Sequence, residues 1–169
     1  MNRLILGAIA VLALLAGCAG PTGGSPLSPP SPTPNPGATY LRIVKAINDC
    51  DDRFYAEIDA QRAAKAVDYG KIRAAAGACV PVYQKFNTDL LALEDEAPKA
   101  KSDIDAMRKS VAASIQLLNS VVGATSDLAT AQAVLAVNQY KDGGAAALVR
   151  SDLGLPAPSV SSPSPTAKV

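Results

Sequence analysis

The sequence predicts an all-α protein: an up-down-up-down four-helix bundle over residues 39–154, preceded by a signal peptide and a proline-rich disordered linker and followed by a disordered C-terminal tail. Apolar residues in the central stretch recur every three or four positions, which places them on one face of a helix, and no sustained alternation typical of a strand occurs. The segments between these periodic stretches are short, so consecutive helices should run antiparallel. The length is sufficient for one hydrophobic core.

Residues 1–17 have the composition of a secretory signal. Asn2 and Arg3 form a short polar, positively charged start, and residues 4–15 are apolar apart from Gly7. This apolar run is too short for a membrane-spanning helix, which needs about 20 residues. The segment therefore predicts export of the chain and removal of the signal.

The signal ends in Leu15-Ala16-Gly17, followed directly by Cys18. This sequence resembles the lipobox of bacterial lipoproteins, which signal peptidase II cleaves before the cysteine. The resemblance implies that Cys18 carries a diacylglycerol, becomes the mature N-terminus and holds the protein, through palmitate-like chains, on the extracytoplasmic face of the cell membrane. Each buried methylene contributes about 0.8 kcal/mol, so two or three chains suffice without a spanning helix. The alternatives are an ordinary secretory signal or an uncleaved anchor.

Residues 18–38 are predicted to be an extended linker. Proline, glycine, serine and threonine dominate this stretch, and little apolar surface is available for burial. At up to about 3.1 Å per residue, it spans roughly 60 Å. We interpret it as a spacer that clears a layer of the cell envelope, with glycosylation of its serines and threonines as an alternative. Residues 155–169 have a similar composition and are predicted to be a disordered tail.

The first predicted helix covers residues 40–62, with Thr39 as its N-cap. Its apolar stripe consists of Ile43, Ile47, Cys50, Phe54 and Ile58. The second covers residues 69–94, with Asp68 as its N-cap. Its apolar residues alternate spacings of four and three, and they are Ile72, Ala76, Cys79, Tyr83, Phe86, Leu90 and Leu93. This is the strongest periodic pattern in the chain. Pro81 interrupts it and predicts a kink.

The third helix is predicted to begin near Pro98 and to carry one apolar face, made of Ile104, Met107, Val111, Ile115, Leu118 and Val122. The fourth begins near Asp127, with its inward residues Leu128, Ala131, Leu135, Leu148, Val149 and Leu153. Gly143 and Gly144 either weaken this helix or divide it into two pieces. The final Leu-Gly-Leu-Pro stretch resembles uncharacterised alanine-rich lipoprotein domains, and this resemblance implies no activity.

If Cys18 is lipidated, Cys50 and Cys79 remain as an even pair in an exported domain. Both lie on the core stripes of adjacent helices, and their midpoint, between Ala64 and Lys65, is close to the centre of the predicted turn. An antiparallel hairpin then brings them to the same height, so we predict a disulfide that contributes about 3 kcal/mol. Two buried thiols are the alternative. A redox-active pair is disfavoured because there is no Cys-x-x-Cys motif and no histidine.

The charge balance limits the classes of partner. The full chain has 16 Lys+Arg and 15 Asp+Glu, and removal of Arg3 with the signal leaves 15 of each. This balance argues against a nucleic acid or an anionic lipid surface as a partner. The chain has no histidine, the commonest general base and metal ligand. With no recognisable catalytic constellation, we expect no metal, no cofactor and no enzymatic activity.

The first helix has an acidic outer face, made of Asp49, Asp51, Asp52, Glu57 and Asp59. These residues follow a helical pattern and not a glycine-turned loop, so we interpret them as a solvated face and not as a calcium site. Four tyrosines are spaced along the helices, namely Tyr55, Tyr69, Tyr83 and Tyr140. They either belong to the core or line a ligand groove.

Two functional hypotheses follow. The first is a non-enzymatic, membrane-anchored lipoprotein that displays a helical bundle and binds an envelope protein or a cell-wall component, or serves as a structural module. The second is a bundle that binds or senses a small ligand, in a pocket near Pro81 or near Gly143 and Gly144. A cavity of several hundred cubic ångströms between the helices would favour the second. An enzyme ranks last.

Overall fold

The computed structural model describes residues 35–157, and in this range the chain is all-α, which confirms the predicted fold class. It contains five helices: α1 (Pro36–Ala63), α2 (Tyr69–Glu96), α3 (Lys101–Val122), α4 (Asp127–Gln139) and α5 (Ala145–Asp152). A 3-10 turn at Pro98–Ala100 leads into α3. The predicted signal, Cys18, the linker up to residue 34 and the tail from residue 158 lie outside the described residues.

Helix α1 begins one turn earlier than predicted. Its N-cap is Asn35, whose side-chain oxygen accepts a hydrogen bond from the Ala38 amide at 3.0 Å, and Pro36 occupies the first turn. The prediction of Thr39 as the cap is therefore wrong. The extra turn packs closely against the chain that follows α5. Gly37 is buried there, and a Cβ atom at this position would lie only 3.2 Å from the side chain of Leu155.

Helix α2 begins where the sequence predicts. Asp68 caps it, and its carboxylate accepts hydrogen bonds from the amides of Gly70 and Lys71 at 2.9 and 3.3 Å. The predicted apolar residues of α2 are buried, apart from Tyr83, which is half-buried. The helix continues through Pro81 to Glu96, and the kink stays a prediction. Because α2 packs against both α1 and α3, it forms the centre of the core.

The predicted disulfide between Cys50 and Cys79 is present. Both residues are buried, and their Cα atoms are 5.7 Å apart. The bond lies in one of two apolar clusters, together with Phe54, Ile58 and Ile72. It joins α1 to α2 covalently at the middle of both helices.

One residue of the predicted α3 face is wrong. Val121 is fully buried, whereas Val122 is 42% exposed. Helix α4 packs against the end of α3, and Val121 belongs to the same apolar cluster as Val134 of α4. Because α4 covers this part of α3, the buried residue at the C-terminus of α3 is Val121 and not Val122.

The predicted fourth helix is divided, as one of the two alternatives held. Gly143 and Gly144 have φ angles of 67° and 80°, a left-handed conformation that glycine adopts without steric penalty. They separate α4 from α5.

The predicted inward face of α4 and α5 is wrong at three positions, because Leu128, Leu135 and Leu148 are exposed by 69%, 54% and 51%. Val149 is buried as predicted, and the other buried residues are Thr130, Val134 and Ala145. Arg73 of α2 donates a hydrogen bond to the hydroxyl of Thr130 at 2.9 Å. This bond and the packing of Val134 turn the Thr130 side of α4 inward, which leaves Leu128 and Leu135 exposed on the outer side.

Replacing both cysteines, with Cys50→Ala and Cys79→Ala, should lower the free energy of unfolding by about 3 kcal/mol, since the disulfide restricts the unfolded chain. Urea denaturation of the full chain checks this. The control is a reducing agent, which should destabilise the wild type by a similar amount and leave the double variant unchanged. A double variant as stable as the oxidised wild type would contradict a structural disulfide.

Candidate functional site

A cavity of about 360 Å³ lies between α1, α2, α3 and the segment that joins α4 to α5. A second cavity of about 100 Å³ shares four lining residues with it: Asp51, Tyr83, Ser114 and Tyr140. Helices α1 and α3 each pack along α2, and the cavity fills the space between them on one side of α2. The position agrees with the second hypothesis in one respect, since the cavity adjoins the break at Gly143 and Gly144.

The wall of the larger cavity is mixed in character. Apolar side chains such as Val44, Ile47, Phe86 and Met107 form one part of it. The polar part comes from residues that lie beside the apolar stripes of their helices. Asp51, for example, is four residues after Ile47 and three residues before Phe54, so it lies at the edge of the α1 stripe.

Asp51 is the half-buried acidic group of the wall, whereas Asp142 is exposed. Its Oδ1 atom accepts a hydrogen bond from the Tyr83 hydroxyl at 2.7 Å. Burial raises the pKa of Asp51 from 3.8 to about 6, although the hydrogen bond from Tyr83 acts in the opposite direction. Among residues 35–157, none of the ion pairs involves Asp51. The cavity therefore holds a half-buried carboxylate without a cationic partner in that range.

Two tyrosines of the wall, Tyr40 and Tyr83, remain neutral hydroxyl donors at physiological pH. Burial raises the pKa of Tyr40 to about 12, and its hydroxyl donates to the carbonyl oxygen of Ala146 at 3.4 Å. Burial and the neighbouring Asp51 carboxylate raise the pKa of Tyr83 above its ordinary range. Neither group supplies a phenolate near pH 7, so both act here through hydrogen bonds.

Hydrogen bonds tie the segment between α4 and α5 to α3 at the edge of the cavity. The Tyr140 hydroxyl donates to the carbonyl oxygen of Ser110 at 3.2 Å, and the Ser110 hydroxyl donates to the carbonyl oxygen of Asp142 at 3.1 Å. These two reciprocal bonds hold residues 140–142 over the cavity. The break in the fourth helix thus supplies part of the wall.

The structure separates the four tyrosines that the sequence singled out. Tyr83 and Tyr140 line the larger cavity and Tyr55 lines the smaller one, whereas Tyr69 packs against the disulfide cluster. Tyr40, the first residue of the predicted α1, did not stand out in the sequence as a wall residue. Asp51 was expected on a solvated face, and it lines the cavity. The position of Asp51 at the edge of the apolar stripe was the only available signal.

A buried charge cluster lies elsewhere, at the turn between α2 and α3. Glu94 is buried and makes ion pairs with Lys101 and Arg108, the latter at 3.1 Å. The hydrogen bond from Lys101 lowers the pKa of Glu94. Because both cations neutralise the carboxylate and join the two helices, this cluster has a structural role.

Residues 35–157 hold no group of three or more histidine, cysteine, aspartate or glutamate side chains arranged to bind a metal ion. In the same range, none of the helices has the length and apolarity needed to cross a membrane. No protein-family model, curated protein or solved structure matches the chain.

Asp51→Asn should stabilise the protein near neutral pH and have little effect in acid. The folded-state pKa of about 6 exceeds the ordinary value of 3.8, so ionisation of Asp51 destabilises the folded state. The penalty is absent below the lower pKa, grows between the two and is complete above the higher. A shift of this size corresponds to about 3 kcal/mol at most. The asparagine oxygen still accepts from Tyr83.

Urea denaturation at about pH 4.5 and about pH 7.5 measures this difference between variant and wild type. The titratable groups nearest to Asp51 are Asp52, Tyr55 and Tyr83, and Lys141 and Asp142 also line the cavity. Asp59→Asn, at an exposed position further along the same helix and outside the cavity wall, is the matched control for the loss of one carboxylate. An Asp51→Asn effect of equal size at both pH values would contradict the assigned shift.

Proposed function

We propose that this chain is a membrane-anchored extracytoplasmic lipoprotein whose helical domain binds a small ligand in the cavity between α1, α2 and α3. The observation that carries the proposal is the cavity itself, with a volume of about 360 Å³ and a wall that combines apolar side chains with a half-buried carboxylate. Small-molecule sites range from roughly 300 to 1,000 Å³ and have this mixed character. A binding role requires no catalytic residue and no cofactor.

The proposal of a lipid anchor rests on the lipobox-like Leu15-Ala16-Gly17 before Cys18. The disulfide supports an extracytoplasmic location, because disulfides persist in oxidising compartments and are rare in the cytosol. The proline-rich linker would hold the helical domain away from the membrane surface. In this arrangement, the cavity would meet ligands at the cell envelope.

Binding of an envelope protein or a cell-wall component is the second candidate function. The observation that favours it is the exposure of Leu128 and Leu135, by 69% and 54%, on the same face of α4. Residues seven positions apart lie on one side of a helix, and exposed apolar side chains grouped in this way favour association. The two functions are compatible, since this face of α4 is distinct from the cavity wall.

We also propose that the helices derive from an up-down-up-down bundle, with α4 and α5 together in the place of the fourth helix. The short connections between successive helices support this, and so does the packing of both α4 and α5 against α3. In this view, the cavity exists because the fourth helix is divided.

Screening a library of small soluble fragments by NMR tests the ligand-binding role. Fragments that bind should shift the amide signals of residues that line the cavity, such as Ile47, Phe86 and Val111. Ser114→Trp, which places a large ring in the wall, should abolish binding. Ser120→Trp, at an exposed position of the same helix, is the matched control and should leave binding intact. Equal binding by both variants would contradict the proposal.

Mass spectrometry of the protein from its native membrane tests the anchor. The wild type should begin at Cys18 and carry the mass of a diacylglycerol. Cys18→Ala should carry no lipid and retain residues 1–17, because both lipidation and cleavage depend on the cysteine. An unmodified Cys18 in a freely secreted or cytosolic product would overturn the proposed location.

A further inference from the structure

We propose that the ligand is a small organic amine, bound as its ammonium cation against Asp51 among the aromatic rings of the cavity. This inference rests on the proposed function, because it takes the cavity to be the binding site. Three observations carry it: the direction of the hydrogen bonds in the wall, the unpaired carboxylate and the aromatic lining.

Each hydroxyl group of the wall already donates its proton in a hydrogen bond within the protein. Tyr40, Tyr140, Ser110 and Ser114 each donate to a backbone carbonyl oxygen, at 3.1 to 3.4 Å, and Tyr83 donates to Asp51. Because carbonyl and carboxylate oxygens only accept, the direction of each bond is fixed. The oxygen lone pairs of these hydroxyl groups remain available. The hydroxyl groups of the wall therefore offer acceptors to a ligand, and the other side-chain donors of the wall belong to the exposed Asn48 and Lys141.

Among ligands that donate hydrogen bonds, the negative charge of the wall favours a cation. Asp51 is ionised at neutral pH, and only its Oδ1 atom takes part in a hydrogen bond among the described residues. Its Oδ2 atom is available to a ligand. Lys141 and Asp142, both exposed, have opposite charges that cancel at the edge of the cavity. Asp51 thus gives the cavity a net negative charge, and partial burial strengthens its attraction for an ammonium group.

The aromatic lining fits the same class of ligand. The side chains of Tyr40, Tyr83, Phe86 and Tyr140 line the cavity. Ammonium groups are attracted to the faces of such rings, because these faces carry negative electrostatic potential. The neighbouring apolar side chains, Val44, Ile47 and Met107, would contact an apolar body. A compact amine with one aromatic or branched alkyl group matches the volume of about 360 Å³.

Isothermal titration calorimetry of the full chain with three compounds of similar size tests this. They are phenethylamine, the neutral phenethyl alcohol and the anionic 3-phenylpropanoate. At about pH 7.5 the amine should bind at least about tenfold more tightly than either of the others, because only it forms a charged hydrogen bond with Asp51. The alcohol thereby compares a neutral hydrogen-bond donor directly with a cation.

Two variants separate the role of the carboxylate from that of the cavity. Asp51→Asn should weaken amine binding by roughly 10- to 100-fold, and Asp59→Asn, at an exposed position outside the cavity wall, should leave it unchanged. Thermal unfolding verifies that both variants are folded. Amine binding should also weaken as the pH falls below about 6, because protonation removes the charge of Asp51 while phenethylamine remains a cation.

Equal affinity for amine and alcohol, or full affinity of Asp51→Asn for the amine, would overturn the amine assignment. So would failure of the amine to bind while other fragments bind in the cavity. These outcomes leave the proposed binding role intact. If phenethylamine binds Ser114→Trp as tightly as the wild type, its site lies elsewhere and the amine assignment is overturned. The cavity itself loses its proposed function only if the fragments also bind Ser114→Trp as they bind Ser120→Trp.

Discussion

The register between α1 and α2 is the constraint on which the rest of the structure depends. The disulfide fixes Cys50 beside Cys79, with 5.7 Å between their Cα atoms. Asp51 follows the first cysteine directly, and Tyr83 lies one turn after the second. Helical side chains lean toward the N-terminus of their own helix, so in this antiparallel pair Asp51 and Tyr83 lean toward each other. Their hydrogen bond of 2.7 Å is the result, and it places a carboxylate in the cavity wall.

The cavity follows from this register together with the division of the fourth helix. Helix α4 ends at Gln139, and the left-handed Gly143 and Gly144 lie directly before α5. The connecting segment, residues 140–144, lies over the space between α1 and α3. The half-buried Asp51 carboxylate makes the folded state less stable at neutral pH than a neutral side chain would. Groups that reduce stability in this way are concentrated at functional sites, which is the physical reason for assigning the cavity a binding role.

The sequence contained the information for the hairpin but not for the cavity. The apolar stripes that hold Cys50 and Cys79 are properties of single helices, so their spacing, together with the position of the turn and the expected export of the chain, predicted the disulfide. The inward face of α4 depends on other elements. The alanines of α4 lie on several sides of the helix, so its sequence does not mark one apolar face. The hydrogen bond from Arg73 to Thr130 helps to determine which side is buried. Likewise, the burial of Asp51 depends on a tyrosine from α2, which no periodicity within α1 reveals.

The most direct test of this account is the titration of the Asp51 carboxyl group, followed by carbon-13 NMR in the full chain labelled at aspartate. The account predicts a pKa of about 6, because the carboxylate is half-buried without a cationic partner in the described range. Addition of phenethylamine should lower that pKa, because an ammonium group favours the ionised form. A pKa near the ordinary value of 3.8 in the unliganded protein would show that Asp51 is solvated, and it would contradict the account.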